Sequence, residues 1–424
     1  MRILILGNGG RESAFAWKLS AEISKDNIFI APGNAGTSAY GTNVTLDIFD
    51  FKGIGNFCLN SGITILLPGS EGPLVAGIRN YFEGNETLRH ILVFGPDKIG
   101  AMLEGSKEFA KQFMIRHGIP TAQYRSFKKG EERAAWDYLD QMKPPYVIKA
   151  DGLAAGKGVI IPHTISDAKD CINEILVNDQ FGEAGATVVI EEFLTGIEVS
   201  FFVMTDGVDY ILMPEAKDYK RIGDNDSGPN TGGMGAVSPV PFVNDAFRNK
   251  VIKTVIEPTL EGLKKENILY RGFIFFGLMN VNGDPMVIEY NCRMGDPETE
   301  VVLPRMKNNL SDIMNACTTH TFQMIKPEID PRFCCTVMLV SAGYPGEYTK
   351  GKTITVTNPG ESLIFHAGTK QSDTALITDG GRVMAVTSYG TTMDDALKSS
   401  YSTINTINFE GMYYRKDIGN DLRS

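Results

Sequence analysis

The chain has 424 residues, 42% of them hydrophobic and 22% charged, with a formal net charge of −10 and a pI near 5.2. That length exceeds one small core and implies roughly two to four domains, and the ordinary globular composition excludes disordered and fibrous classes. The acidic balance argues against a general nucleic-acid or membrane-surface role, so an anionic substrate needs a local basic pocket.

Residues Arg2 to Leu6 read as a buried parallel strand that ends in a glycine-rich turn and the helical pattern "RESAFAWKLS". The apolar run is too short for a signal-peptide core, and no apolar stretch approaches the length of a membrane span. "NIFIAPGN", "ITILLPGS" and "HILVFGP" follow at intervals of roughly thirty residues, with helical pieces between them. Short apolar strands alternating with helices predict a doubly wound parallel sheet, whose carboxyl ends are where such sheets bind ligands. The unit closes near Ile99. Its first loop, "GNGGRE", fails the dinucleotide fingerprint, with Glu12 where a third glycine is needed and "APGN" where an acid is needed. The loop can still take a phosphate on its N–H groups beside Arg11; a tight turn that simply requires glycine is an equal reading.

"GSKEFAKQFMIRHGIP" predicts a helix with Phe109 and Phe113 on one buried face. Lys107, at its start, is a weak signal alone. In "KADGLAAGKGV", Lys149 projects from a strand, and Gly152, Gly156 and Gly158 make a flexible turn. Such a loop can close over a triphosphate with backbone donors and Lys157 as a mobile cation, although an ordinary hairpin is the alternative. It is not a Walker A loop, because Gly158 stands where Ser or Thr is required. This part reads as a small α+β lobe with a helix around Ser166 to Asn178.

The run "VVIEEFLTGIEVS", Val188 to Ser200, reads as a buried apolar strand with Glu191 and Glu198 around a short segment able to face a flat ring. In "MVIEYNCRMGDPE", Glu289 and Asn291 are two apart, so a strand puts both on one face, with Arg293 two further on. Oxygen ligands beside a guanidinium make a site for Mg²⁺ and nucleotide phosphates; edge strands with solvated acids are the alternative. "DYKR", Asp218 to Arg221, has the look of a solvated face, and "GPNTGGMGA" is a second glycine-rich loop. From about Pro331 the pattern turns β-rich, with a hairpin expected at Asp379–Gly380–Gly381 and a helix around Met393 to Ile404. The six cysteines (58, 171, 292, 317, 334 and 335) form no C-x-x-C pair and fit a reduced, cytoplasmic compartment. The histidines at 90, 117, 163, 320 and 366 lack metal-ligand spacing, and there is no G-x-S-x-G elbow. Catalysis without a protein nucleophile suits phosphoryl transfer, which depends on positioning and charge neutralisation.

In this order the elements resemble the ATP-grasp enzymes. "ILGNGGRE", "APGNAGT", "LEGSK", "PTAQY", "VIKADGLAAGKGV", "IEEFLTGIEVS", "GPNTGGMGAVSP", "VIEYNCRMGDPET", "FHAGTK", "GGRVMAVTSYG" and "YRKDIG" narrow the resemblance to the phosphoribosylamine–glycine ligase family, from Ile3 to Gly419. The resemblance implies an α/β and α+β multidomain fold. A pre-ATP-grasp domain would span 1–104, a two-lobed ATP-grasp domain 105–328 with its mobile lobe at about 123–190, and a β-rich domain 329–424. It implies ATP-dependent ligation of glycine to 5-phosphoribosylamine through glycyl phosphate, with Mg²⁺ or Mn²⁺, in a cytoplasmic monomer that makes transient contact with the enzyme supplying phosphoribosylamine.

The roles it implies are these. Lys107 and Lys149 hold the ATP phosphates, under the loop that includes Gly156, Lys157 and Gly158. Glu191, Glu192, Phe193 and Leu194 line the adenine site, and Glu198 takes the ribose. Glu289 and Asn291 hold the metal, and Arg293 stabilises the transferred phosphoryl group. Gly9, Gly10, Arg11, Asn34 and Glu71 hold the ribosyl phosphate, and Asp218 with Gly232 and Gly233 positions glycine. The chain departs from the family pattern at Ser70 and Gly72 (usually Pro and Ala), Lys217 and Tyr219 (Gln and His), Met294 (Phe) and Glu300 (Gln). The changes at 217, 219 and 300 are expected to bear on the glycine side. Rival readings are another ATP-grasp carboxylate–amine ligase of purine metabolism, which "GNGGRE" and "HAGTK" oppose, and a non-catalytic nucleotide sensor, which the joint presence of Lys149, Glu289 and Asn291 opposes.

Overall fold

The computed structural model describes residues 1–154, 158–319 and 321–423. At the N-terminus five parallel strands run in the order Thr42–Asn43, Ile28–Pro32, Ile3–Gly7, Ile65–Pro68, Leu92–Val93. Ile3 to Leu6 are fully shielded from solvent, as an unbroken apolar strand covered on both faces must be. From the central strand the chain builds outward to one side through Ile28 and later to the other through Ile65. The carboxyl end of Ile3–Gly7 is therefore a topological switch point, where a crevice opens. Helix Gly10–Ser20 starts from that crevice.

Beyond the helices Lys98–Gly105 and Lys107–Arg116, a small lobe forms on an antiparallel sheet ordered Tyr124–Lys128, Thr187–Glu192, Tyr146–Ala150, Val159–Ile160. Helices Glu132–Leu139 and Ile165–Leu176 pack against each other and the latter covers the sheet. Leu139, Ile148, Ile172, Val188 and Ile190 give this lobe an apolar cluster of its own. The larger lobe is a second antiparallel sheet, Tyr210–Leu212, Ile197–Thr205, Gly272–Val281, Asp284–Asn291. The run Val188–Ser200 is thus not one strand. It breaks after Glu192, and its halves belong to different sheets. Residues 193–197 are largely exposed there, and Gly196 approaches the neighbouring chain so closely that a Cβ would sit 2.2 Å from the Asn280 carbonyl oxygen. That contact lets the backbone leave one sheet and enter the other.

A third sheet, Lys217–Asp218, Gly235–Ser238, Phe333–Val340, Arg382–Gly390, Leu363–His366, joins the middle of the chain to its β-rich end. Helix Met393–Ile404 lies over it, with Ala396, Leu397 and Ile404 buried. The hairpin expected at Asp379–Gly381 is absent: Leu376–Thr378 pairs with Thr369–Gln371, while Arg382–Gly390 pairs elsewhere. Two glycines there serve a backbone crossing instead. A Cβ on Gly368 would meet the Gly380 Cα at 2.5 Å, and the Asp379 N–H donates to the Gly368 carbonyl at 2.7 Å. All six cysteines are free and buried. No helix among the described residues is long and apolar enough to cross a membrane.

Candidate active site

Lysines from two elements meet one carboxylate where the lobes join. Lys149 Nζ lies 2.8 Å from Glu191 Oε1, and Lys111 Nζ lies 2.8 Å from Glu191 Oε2. Glu191 is 3% exposed, so both ion pairs act with little solvent screening. Burial pulls the Lys111 pKa down to about 8 against the opposing pull of Glu191. Lys107 is one helical turn before Lys111, on the same face. Its Nζ donates to the carbonyls of Asp151 and Gly152 at 3.2 and 3.1 Å, and burial lowers its pKa. Asp151 in turn accepts the Glu108 N–H at 2.7 Å, tying the start of that helix to the base of the glycine loop. Gly158, at the far end of the loop, packs against Ala154, whose Cβ would be 2.7 Å from an added one. Gly156 and Lys157 lie outside the described residues.

The segment between the two sheets holds the expected ring-facing residues. The Glu192 N–H bonds the Gln123 carbonyl at 3.0 Å, and its side chain accepts the Gln123 N–H at 2.9 Å, so this residue clasps the lobe entrance. Phe193 is 42% exposed and Leu194 half-buried. Glu198 Oε2 pairs with Lys220 Nζ at 2.8 Å, and the same ammonium is 3.8 Å from Glu289 Oε1.

Glu289 and Asn291 end strand Asp284–Asn291. Gly277 pairs with Glu289 but Leu278 pairs with Val287, so Ile288 is an extra residue. Such a bulge re-aims the side chains that follow it, and the freed Ile288 carbonyl accepts Lys149 Nζ at 3.3 Å. Lys220 and other cations hold the Glu289 pKa down against burial, which pushes it up. Asn291 is buried, with no partner for its Nδ2 among the described residues. One ionised carboxylate and one amide oxygen are a donor set that fits Mg²⁺, which is commonly held by one or two protein ligands and completed by phosphate oxygens and water.

The strand Lys217–Asp218 ends before Tyr219; Asp218 and Lys220 turn toward this centre, where the Lys220 charge acts on both Asp218 and Glu289, whereas Lys217 and Tyr219 turn the other way. Lys217 Nζ pairs with Asp421 at 3.0 Å and stands 3.9 Å above the Tyr219 ring; the Tyr219 hydroxyl donates to Asp421 at 2.7 Å. The expectation that positions 217 and 219 bear on glycine is therefore corrected: both face the C-terminal tail. Burial raises the pKa of Asp218. Burial and the nearby Asp218 charge also push Glu298 up to about 8.

Arg293 is pinned between two acids, Glu104 at 2.7 Å and Glu71 at 3.2 Å. Burial alone would raise the Glu71 pKa, but Arg293 and Arg11 hold it at about 2. Beyond Arg293, at the switch point of the parallel sheet, is a pocket of about 480 Å³ lined by Gly9, Arg11, Asp47, Ser70, Asp296 and Arg382, among others. Arg11 Nε pairs with Glu12 at 2.7 Å, and the Arg11 N–H donates to Asp296 at 3.3 Å. Arg382 pairs with Asp296 at 3.0 Å and donates to the Gly232 carbonyl at 2.6 Å. Gly233, with φ of +117°, presses on Pro297, whose Cδ would be 2.4 Å from a Cβ. That loop therefore sits beside the N-terminal pocket. The Asn34 amide is taken up internally, donating to the Asn8 and His366 carbonyls at 2.9 and 2.8 Å and accepting the Gly36 N–H at 2.9 Å. Its place is to dock the "HAGTK" segment onto the N-terminal sheet. Glu300 also departs from expectation. Helix Thr299–Arg305 packs along helix Gly10–Ser20, so Glu300 faces Gly10 and the N-terminal pocket, not the glycine side.

Three family models match in sequence: the phosphoribosylglycinamide synthetase N domain over residues 1–104, its ATP-grasp (A) domain over 105–299 and its C domain over 334–421. The chain belongs to the phosphoribosylglycinamide synthetase family. It is 43% identical to the phosphoribosylamine–glycine ligase of Vibrio parahaemolyticus over 99% of this chain and 98% of that one. It is 44% identical to that of Pseudomonas syringae pv. tomato over 99% and 97%. The crystal structure of a phosphoribosylamine–glycine ligase from Thermotoga maritima superposes with a TM-score of 0.84 at 36% identity, covering 98% of this chain and all of that one. A biotin carboxylase domain from Hydrogenobacter thermophilus, solved with MgADP, has a TM-score of 0.71 at 15% identity, covering 97% of this chain and 91% of that one; it shares the ATP-grasp fold.

Within this family frame, the fold brings Lys107, Lys149, Glu191, Glu198 and Glu289 to one centre. It places Gly9 and Arg11 in the pocket lining, Gly10 beside Asp296 and the Gly232 carbonyl on Arg382, with Glu71 linking the two through Arg293. Lys111, Glu104, Lys220, Glu298, Asp296 and Arg382 escaped sequence reasoning. Lys111 carried a usable signal, its four-residue spacing from Lys107, and Lys220 another, its two-residue spacing from Asp218.

Proposed function

We infer that this chain ligates glycine to 5-phosphoribosylamine with ATP, giving glycinamide ribonucleotide, ADP and phosphate. The observation that carries this reading is the convergence of three buried or half-buried lysines and the Glu289–Asn291 pair on one side of Arg293, with a pocket lined by Arg11 and Arg382 on the other. ATP belongs on the lysine side. Lys107 and Lys149 neutralise its phosphates, Phe193 and Leu194 face the adenine, and Glu198 accepts the ribose hydroxyls once Lys220 yields. Glu289 and Asn291 hold Mg²⁺ or Mn²⁺, which when bound neutralises charge on the phosphate oxygens.

In the first step a carboxylate oxygen of glycine attacks the γ-phosphorus, the bond to the β-phosphate oxygen breaks and ADP leaves with the electron pair. Arg293 is oriented by Glu71 and Glu104 to meet the charge on the transferred group. The amine of phosphoribosylamine then attacks the carbonyl of glycyl phosphate, phosphate leaves and the amine gives up a proton. An acyl phosphate hydrolyses in water, so closure of the small lobe must precede chemistry. Asp218, beside the Lys220 charge, positions glycine with the Gly232–Gly233 loop. Gly9, Gly10 and Arg11 hold the ribosyl phosphate at the helix N-terminus.

The domain limits we assign are 1–104, 105–328 with the small lobe at about 123–190, and 329–424. The separate apolar cluster of the small lobe and the segments matched by the family models support them. A cytoplasmic monomer that receives labile phosphoribosylamine from the enzyme making it completes the reading, in keeping with six unpaired thiols. The deciding experiment measures ADP release with Mg²⁺ while glycine and phosphoribosylamine are supplied separately and together. Full release requires both; release independent of either sinks the ligase reading.

A further inference from the structure

Glu300 has no solvent exposure, and neither of its carboxyl oxygens has a hydrogen-bond partner among the described residues. An ionised carboxylate so placed is an unpaired charge in a low-dielectric site, which is far costlier than a carboxylic acid. Its surroundings do not supply a counter-charge of its own. Asp296 and Glu298 precede it in the chain, and helix Gly10–Ser20 brings Arg11, already paired with Glu12. Strand Arg382–Gly390 brings Arg382, already paired with Asp296. Strands Phe333–Val340 and Gly235–Ser238, also packed on this helix, carry no acidic or basic side chain. Glu300 and Asp296 converge on one spot beside Gly10: a Cβ built there would be 2.2 Å from Glu300 Oε1 and 3.7 Å from Asp296 Oδ1. Burial first, then the Asp296 charge, moves the Glu300 carboxyl far above the usual range.

We propose that Glu300 is a positioning residue for the ribosyl phosphate pocket, holding a proton that it offers to Asp296 across Gly10. Asp296 is the hub of that pocket, since it accepts the Arg11 N–H and pairs with Arg382. With Glu300 neutral, Asp296 presents one negative charge to the Arg382 guanidinium and the Arg11 N–H, and the pocket mouth remains attractive to a phosphate. Loss of the proton sets two carboxylates against each other, turns Asp296 away from its arginines and repels the incoming anion.

This inference rests on the assignment of that pocket to phosphoribosylamine, so the assay separates the two. The full chain is assayed from about pH 6.5 to about pH 9.5, spanning the range where a raised carboxyl titrates. KM for phosphoribosylamine, KM for glycine and kcat are followed for the wild type, Glu300→Ala and Glu300→Gln. Calorimetric binding of ribose 5-phosphate supplies a readout without turnover. For the wild type, phosphoribosylamine KM and ribose 5-phosphate Kd rise at alkaline pH, approaching about tenfold per pH unit once the proton is lost, while glycine KM does not follow. Glu300→Ala binds ribose 5-phosphate weakly at every pH, and Glu300→Gln restores binding and flattens the profile. An alkaline decline in Glu300→Gln that matches the wild type, or a flat wild-type profile, overturns the proposal. Absence of ADP release by the wild type with both substrates at neutral pH would instead overturn the ligase reading.

Discussion

The two halves of the site handle charge in opposite ways. On the ATP side, Lys111 and Lys149 share one buried carboxylate, Glu191, while Lys107 bonds two carbonyls at the base of the glycine loop. On the other side, Arg11 and Arg382 are matched by Glu12 and Asp296, with the buried Glu300 pressed against them. On the proposed reading, the first half takes a polyanion that arrives with its own metal ion and completes the neutralisation, whereas the second, already balanced, takes a monophosphate through backbone N–H groups and small changes in an existing network. Arg293 stands between them, held to two acids from the N-terminal segment, Glu71 and Glu104. A cation-rich cradle should be sensitive to loss of single charges, and a balanced network to loss of partners.

The comparison is broken most severely at Glu289. Glu289→Ala removes the carboxylate of the proposed Mg²⁺ donor set, and turnover should fall by about three orders of magnitude or more. Far-UV circular dichroism and thermal melting should remain near wild type, since this side chain is partly exposed. Near-normal ADP release by the variant would remove the metal from this position. Next comes Lys111→Met, which leaves Glu191 to Lys149 alone. Lys149 is then drawn toward the carboxylate, and KM for ATP should rise about tenfold while KM for glycine stays put. The Lys111 pKa of about 8 sharpens the test. Below that pH the ammonium shares Glu191, and above it the proton is lost. Wild-type KM for ATP should therefore climb toward that of the variant as pH passes 8, and a constant ratio between the two across this range would refute the sharing.

A smaller effect tests the balanced half. Glu71 has its pKa held at about 2 by Arg293 and Arg11 against burial, below an ordinary value of 4.5. A depressed folded-state pKa contributes stability that is present above the unfolded value and lost as pH falls through the folded one. Urea unfolding of the wild type should therefore lose about 2 kcal/mol between about pH 5 and about pH 2 from this group, a figure reduced for its partial exposure. Glu71→Gln should be less stable at neutral pH and show a correspondingly shallower acid decline. Equal slopes would mean that Arg293 does not depend on Glu71.

Much of this was legible in the sequence, and what was hidden has a common cause. Ile3–Gly7 and its parallel neighbours announce themselves because a strand covered on both faces must be continuously apolar. Glu289, Asn291 and Lys149 are legible because alternation on a strand fixes which side chains share a face. The division of Val188–Ser200 between two sheets was not, since apolar alternation runs on through Gly196 and the break is imposed by the approach of Asn280 from another strand. Glu104, Asp296 and Arg382 act through partners far away in the chain; Arg382 meets Asp296 across 86 positions, and no local pattern encodes such a pairing. Glu300 is a similar case. Its departure from the family pattern was visible, but which substrate it faces depends on the helix that packs against it.

The mildest prediction concerns Lys217 and Tyr219, which alternate with Asp218 and Lys220 yet point to the opposite side. Lys217 is held by Asp421 and the Tyr219 ring, and Tyr219 by Asp421 and the Gly419 N–H at 2.9 Å. Replacing the pair with Gln and His, the residues usual in the family, removes a half-exposed ion pair, a cation–π contact and a buried hydroxyl bond. Together these are worth about 1–2 kcal/mol, which for a chain of this size lowers the melting temperature by roughly 1–2 °C. KM for glycine should not move, because both side chains are held against the C-terminal tail, away from Asp218 and Lys220. A glycine KM that shifts while the melting temperature holds would reverse the assignment of the two faces and return these positions to the substrate side.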